Sequence, residues 1–223
     1  MIIAIDGPAG SGKSSTAREV AKRTNSLYID TGAMYRAVAL FTIENGIDAH
    51  LEISESVLSH VHIRLEPSDS GVDVYLNGSN VNDKIRGSEV SELSSVVSSN
   101  RDVRNKMVSI QREMALECVN KGGSVVMEGR DIGTVVFPDA EFKFFLIADP
   151  KVRAQRRAVQ LKEKGVPASE ASLYQEIVDR DGRDESRELS PLKKAETAIE
   201  IDTSDLSFEE QVENIISVIK GNG

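Results

Sequence analysis

An apolar run, Ile2-Ile3-Ala4-Ile5-Asp6, leads without interruption into Gly7-Pro8-Ala9-Gly10-Ser11-Gly12-Lys13-Ser14. A strand that ends in G-x-x-x-x-G-K-[ST] leaves a chain few folds. The loop must turn sharply and open a helix whose first amides point back at it. The glycines let backbone N–H groups turn inward around a polyphosphate. The helix that starts near Lys13 aims the positive end of its dipole at the same anion. Lys13 supplies a mobile cation for the β- and γ-phosphates, and the Ser14 hydroxyl is placed to ligate Mg2+. At ordinary residue usage a chain of this length matches the pattern by accident on the order of once in a hundred. A glycine-rich turn that merely capped a helix would leave the lysine and the serines Ser14 and Ser15 unexplained.

The rest of the chain supplies a β-α-β rhythm around that loop. Helices are expected at 13–24, 32–45, 51–60, 88–99, 102–120, 150–164 and 170–188. Strands are expected at 27–30, 124–128, 142–147 and 198–201. Ser207-Phe208-Glu209-Glu210 reads as a capping box opening a last helix. Between 61 and 76 the pattern switches to alternation (Val61, Ile63, Leu65, then Val72, Val74, Leu76), and Asn77-Gly78 supplies a hairpin turn. This small antiparallel patch reads as an insertion. Alternating strands and helices imply a mostly parallel sheet covered on both faces, with ligands at the carboxyl ends of its strands. Asp6/Gly7, Asp30/Thr31 and Glu128/Gly129 all fall at such ends.

Arginine placement narrows the chemistry. Arg153, Arg156 and Arg157 stand at i, i+3, i+4, and Arg180, Arg183, Asp184 and Arg187 at i, i+3, i+4, i+7. Each row lines one helical face, and the two flank a Gly165-Val166-Pro167 break, as in a mobile lid. Solvated helical faces usually carry lysine and glutamate. Arginine forks instead suit phosphate, which they grip bidentately while staying charged. Arg36 follows Asp30 by six residues, and Arg130-Asp131 sits in a Gly-Arg-Asp-Ile-Gly turn directly after the strand ending at Glu128.

Composition limits the partners. The net charge is −9, which argues against a polynucleotide partner. No apolar run approaches the ~18 residues of a membrane span. The leading core strand leaves no room for a signal peptide. The single cysteine, Cys118, reads as a buried, inert thiol in a reducing cytoplasm. His50, His60 and His62 read as solvated surface rather than a metal site. Aromatic content of 4% and no apolar surface stripe make a monomer the expectation.

Four segments in register then resemble the bacterial cytidylate kinases, of the nucleoside monophosphate kinase family. They are the phosphate loop, Asp30-Thr31-Gly32-Ala33-Met34-Tyr35-Arg36, Glu128 through Pro138, and Arg180-Asp181-x-Arg183-Asp184-x-x-Arg187. The resemblance runs from residue 2 to about 218. It implies an α/β P-loop kinase with a parallel five-stranded central sheet flanked by helices. It also implies an inserted small antiparallel sheet in the monophosphate-binding module and a short helical lid. The single domain would divide into a core (about 1–35, 101–152 and 188–223), a monophosphate-binding module (about 36–100) and a lid (about 153–187). The implied reaction is γ-phosphoryl transfer from ATP, with Mg2+, to CMP or dCMP.

By the same resemblance, ATP would sit in Gly7, Pro8, Ala9, Gly10, Ser11, Gly12, Lys13, Ser14 and Ser15. Arg153, Arg156 and Arg157 would lie in the lid over its phosphates. Thr31, Tyr35 and Arg36 would line the acceptor pocket, and Ser95, Arg104 and Asp131 would read the cytosine edge. Arg130 and Arg187 would hold the acceptor phosphate, and Arg180 and Asp184 the ribose side. Gly87, where the family often has Thr or Ser, is a departure that softens the insert locally.

Other classes fit less well. A signalling GTPase would need an Asn-Lys-x-Asp guanine reader, and a transport ATPase a signature loop; neither is in the chain. A shikimate or dephospho-coenzyme A kinase would not need the insertion. A nucleotide sensor would not need two arginine rows.

Overall fold

The computed structural model describes residues 1–51, 53–68, 71–163 and 165–221. Positions 52 and 164, within the helices expected at 51–60 and 150–164, and the last two positions of the expected core lie outside them. The elements run β1 (Ile2–Asp6), α1 (Lys13–Arg23), β2 (Leu27–Asp30), α2 (Thr31–Glu44), α3 (Glu55–Leu58), β3 (Ile63–Ser68), β4 (Gly71–Leu76) and β5 (Ser79–Asn80). Then follow α4 (Ser88–Val97), α5 (Arg101–Asn120), β6 (Val125–Gly129), β7 (Phe142–Ile147), α6 (Pro150–Glu163), α7 (Glu170–Glu185), β8 (Ile199–Asp202) and α8 (Phe208–Ile219).

Five strands form a parallel sheet in the order β2-β6-β1-β7-β8. Side-chain alternation along each strand splits the core into two layers. Ala4 of β1, Ile29 of β2 and Val125 and Met127 of β6 face a cluster with α2, α4 and α5. Ile3, Ile5, Tyr28, Val126, Phe144 and Leu146 face a second cluster with α1 and α8. In α8 the buried Val212, Ile215 and Ile216 repeat at helical spacing and meet Ala17, Val20 and Ala21 of α1. Each such aliphatic burial stabilises the fold by about 1.5–3 kcal/mol. The expected capping box is present: Glu210 N–H donates to Ser207 Oγ and Ser207 N–H to Glu210 Oε2 at 2.8 Å.

The second sheet is antiparallel, β3-β4-β5. Its β4–β5 turn is Asn77-Gly78, both residues at positive φ (49° and 83°), the two-residue geometry that matches strand twist. The helix expected over 51–60 is a single turn, Glu55–Leu58, and of that turn only Leu58 is fully buried, with Val57 packing against the same core. The helix expected to 188 stops at Glu185, so Arg187 lies beyond it and Arg183 is exposed. The residues between β6 and β7 contain a π-type turn, Ile132–Val136, closed by Phe137 N–H to Ile132 O at 2.7 Å. No periodicity announced it. Cys118 is half-buried rather than buried, its thiol 3.6 Å from the Ser124 carbonyl. All three histidines are exposed.

Gly87 occupies the N-cap position of α4 at φ −63°, ψ 153°, and offers no side chain to the helix amides. A Cβ there meets nothing closer than 3.8 Å. Gly87→Ser is therefore expected to stabilise the protein by about 0.5–1 kcal/mol, from an added cap bond and a less flexible unfolded chain. A thermal melt that stayed put or fell would contradict this.

Candidate active site

The parallel register brings Asp6 level with Gly129 and Asp30 level with Glu128, so three expected polar strand ends share one sheet edge. The phosphate loop leaves β1 there. A Cβ on Gly7 would sit 2.1 Å from the Leu146 carbonyl oxygen, so no other residue fits beside β7. Gly12 starts α1 from a left-handed conformation, φ 86°. Lys13 is buried and its Nζ donates to Pro8 O at 3.1 Å. Burial, with the Arg130 charge next in effect, pushes its ammonium down to about 7. Ser14 Oγ donates to Glu128 Oε2 at 2.7 Å, and Tyr28 donates to the other oxygen of that carboxylate. Burial and the nearby Asp30 charge raise the Glu128 carboxyl.

Facing the loop is a second set of cations. Arg36, on the first turns of α2, donates to Asp30 Oδ2 at 3.2 Å, while Asp30 Oδ1 caps the helix through Ala33 N–H. Asp184, 1% exposed, holds two arginines at once: Arg130 Nε at 3.0 Å and Arg187 Nη2. Ser95 Oγ donates to the same carboxylate at 3.4 Å. Burial works against the Asp184 charge, but Arg130, Arg187 and Arg180 outweigh it and hold the carboxyl below its usual value. The charges that act most on Arg180 are those of Arg130, Asp184, Arg36 and Arg187, three of them like its own. Burial and Arg130 push it down to about 10. The Nε atoms of both Arg36 and Arg180 are buried without a hydrogen-bond partner among the described residues. Buried guanidinium donors without acceptors mark a place for an anion.

Deeper in, Arg104 and Asp131 form a buried ion pair. Arg104 also donates to Ser190 Oγ at 3.0 Å and Ser98 O at 3.2 Å, and its guanidinium lies 5.7 Å from the Tyr35 ring centre. Burial raises the Asp131 carboxyl even against Arg104, and raises the Tyr35 hydroxyl to about 12. Thr31 Oγ1 donates to the Glu128 carbonyl at 2.7 Å.

The other arginine row is dispersed. Arg153 is buried, and its donors go to Ala148 O (2.9 Å), Ala9 O (2.9 Å) and Asp181 (2.6 Å), which ties α6 and α7 to the phosphate loop. Arg156 is turned to the Thr203–Ser204 backbone after β8. Arg157 is exposed. Helical spacing put the three on one face, but that face runs from the core edge to solvent. Sequence reasoning passed over Asp6, Tyr28, Asp181 and Ser190 as working parts. Ser190 carried no signal, since its positive φ of 54° belongs to the folded chain alone.

A sequence model described as cytidylate kinase matches residues 3–221. The chain is 45% identical over 218 residues to the cytidylate kinase of Fervidobacterium nodosum, covering 98% of this chain and 95% of that one. It is 46% identical over 220 residues to that of Bacillus cereus, covering 98% and 96%.

The chain belongs to the cytidylate kinase family. Among solved structures, an uncharacterized protein from Eubacterium ventriosum superposes with a TM-score of 0.52 at 16% identity, covering 99% of this chain and 98% of its own. A sugar kinase from Janibacter sp. does so at 0.50 and 15%, covering 98% and 94%. These two likenesses speak to the fold alone; membership of the family rests on the sequence matches.

Proposed function

We propose that this protein, like its cytidylate kinase relatives, transfers the γ-phosphoryl group of ATP to CMP or dCMP, releasing ADP and CDP or dCDP. The observation that carries the reading is the second cation cluster. Arg36, Arg130 and Arg187 all act on Arg180, and Arg130 and Arg180 act on the phosphate-loop lysine, with two guanidinium nitrogens, those of Arg36 and Arg180, unpartnered among the described residues. A protein that bound one triphosphate would need only the loop. Two phosphate-bearing molecules facing each other need fixed cations between them.

In this reading Gly7–Ser15 cradle the donor, with Lys13 on the transferred phosphate. Arg36, Arg130 and Arg187 hold the acceptor phosphate beside Thr31 and Tyr35, and Arg180 and Asp184 lie on its ribose side. The acceptor oxygen attacks the γ-phosphorus in line as the bond to the ADP oxygen breaks. A monoester phosphate is largely ionised near neutrality, so no strong base is needed. Catalysis is orientation plus neutralisation by Lys13 and the arginines. The all-oxygen donors Ser14 Oγ and the Glu128 carboxylate suit Mg2+ and would hold it, and its positive charge would offset that of the donor phosphates. Among the described residues no cluster of three or more His, Cys, Asp or Glu is placed to hold a metal by itself. The division into core (about 1–35, 101–152, 188–223), monophosphate module (36–100) and lid (153–187) belongs to this reading. Arg153 then acts as a strap from lid to loop, and Arg156 and Arg157 await lid movement. No helix among the described residues is long and apolar enough to cross a membrane; a monomer in the cytoplasm completes the proposal.

Arg104 and Asp131 carry base selection. The Asp131 carboxylate can accept from the exocyclic amine of cytosine, Arg104 can donate to the ring acceptors, and Ser95 lies close by through Asp184 and Arg187. Asp131→Ala is expected to cost about 1–3 kcal/mol of CMP discrimination with little change in ATP binding. Equal losses for both nucleotides, measured by steady-state kinetics, would remove the base-reading role.

A further inference from the structure

We propose that Asp6 is a positioning residue for the acceptor half of the site: its carboxylate fixes the Arg130-Asp131 turn by bonding the two backbone amides that follow it. Asp6 ends β1 and is buried, 5% exposed. Its Oδ1 accepts from Ile132 N–H at 2.9 Å and its Oδ2 from Gly133 N–H at 2.7 Å. These are the first amides of the π-type turn Ile132–Val136, and the residue before it, Asp131, makes no side-chain cap bond to the turn. Amides at the start of a helical turn have no partner within it, so each needs an acceptor from elsewhere. Here one carboxylate serves both from 126 and 127 residues away.

The geometry leaves the turn little freedom. Two bonds to the two oxygens of one carboxylate set both its distance and its rotation relative to β1. Arg130 and Asp131 are the residues immediately before the bonded amides, so their side chains leave a backbone pinned on that side. Gly7 follows Asp6 directly, so the same residue joins the donor loop to the acceptor turn. The charged groups that act on Asp6 are Arg130, which attracts, and Asp131, which repels. Burial raises the Asp6 carboxyl to about 7 even though both amides bond it, and those two bonds pull in the opposite direction. No step of the phosphoryl transfer uses this carboxylate. It acts through the turn.

This inference rests on the acceptor reading of Arg130 and Asp131. Asp6→Asn keeps the shape but replaces one acceptor oxygen with a donor that faces an N–H. In that variant the KM for CMP is expected to rise roughly 10-fold to 100-fold and the preference for CMP over UMP to shrink, with the KM for ATP moving less than about threefold. Equal rises for both nucleotides, or unchanged CMP kinetics in a folded variant, would overturn the role. Should the variant not fold, amide hydrogen exchange on the wild-type protein without nucleotide decides. Ile132 and Gly133 should be protected as strongly as the amides of β1. Fast exchange there that slows only when CMP is added would mean that substrate, not Asp6, places the turn. A wild-type protein with no CMP-dependent ADP release would instead overturn the acceptor reading, and this proposal with it. Protected amides with unchanged CMP kinetics in Asp6→Asn would overturn the role of Asp6 alone.

Discussion

Lys13→Ala is expected to lower kcat by about three orders of magnitude or more, because it removes the cation aimed at the transferred phosphate from a site shielded from water. The fold should survive. Lys13 is the first residue of α1, where alanine is a good helix former. Its ammonium is buried and pushed down to about 7, so its charge opposes folding rather than supporting it. The same depression gives a second readout. Above pH 7 the free protein holds Lys13 mostly neutral, and a bound polyphosphate favours the charged form. ATP binding at pH 8 should therefore take up a proton, and that uptake should vanish in Lys13→Ala. Calorimetry in buffers of different ionisation enthalpy measures it. A variant with near-normal turnover would remove the phosphate loop from the chemistry.

Asp184→Ala is expected to have the second largest effect, on both activity and stability. The carboxylate hydrogen-bonds both Arg130 and Arg187, and Ser95 donates to it as well. Without it, Arg130, Arg180 and Arg187 face one another with their mutual repulsion largely unrelieved, the nearby Asp131 carboxylate being already paired with Arg104. Removing one partner of a buried ion pair costs about 3–5 kcal/mol; with Arg130 still 18% exposed, about 2–4 kcal/mol is expected here. The ratio kcat/KM for CMP should fall about 100-fold or more, since the two arginines lose their orientation together. Asp184→Asn, which keeps the shape and loses the charge, should retain more stability yet still lose most of the CMP activity. Unchanged CMP kinetics in both variants would show that the arginines are placed without Asp184.

Local signals carried the fold well. Strand alternation, the Asn77-Gly78 turn and the Ser207–Glu210 capping box each encode their own geometry over a few residues, and each appears in the structure. The one-turn α3 departs from expectation because polarity at helical spacing does not say how much of a segment will find a core to pack on. The candidate site was legible where a residue type and its spacing share a chemical reason, as in Lys13, Arg36 and the Arg130-Asp131 turn. It was not legible where the partner is far away in the chain. That Asp184 joins Arg130 to Arg187, that Asp6 caps a turn near residue 132, and that Arg153 straps the loop are consequences of sheet register and helix packing. The Arg153 row shows the limit of periodicity most clearly. Spacing placed three arginines on one face, and only the folded chain shows that one is buried, one half-buried and one exposed.

The central claim is that this protein moves phosphate from ATP to a cytidine monophosphate. It is tested most directly by measuring ADP release from the purified protein with ATP and Mg2+ across a panel of nucleoside monophosphates: CMP, dCMP, UMP, AMP and GMP. ADP release that depends on the acceptor and is confined largely to CMP and dCMP is the expected result. Release independent of any acceptor, or strongest with a purine monophosphate, would contradict it.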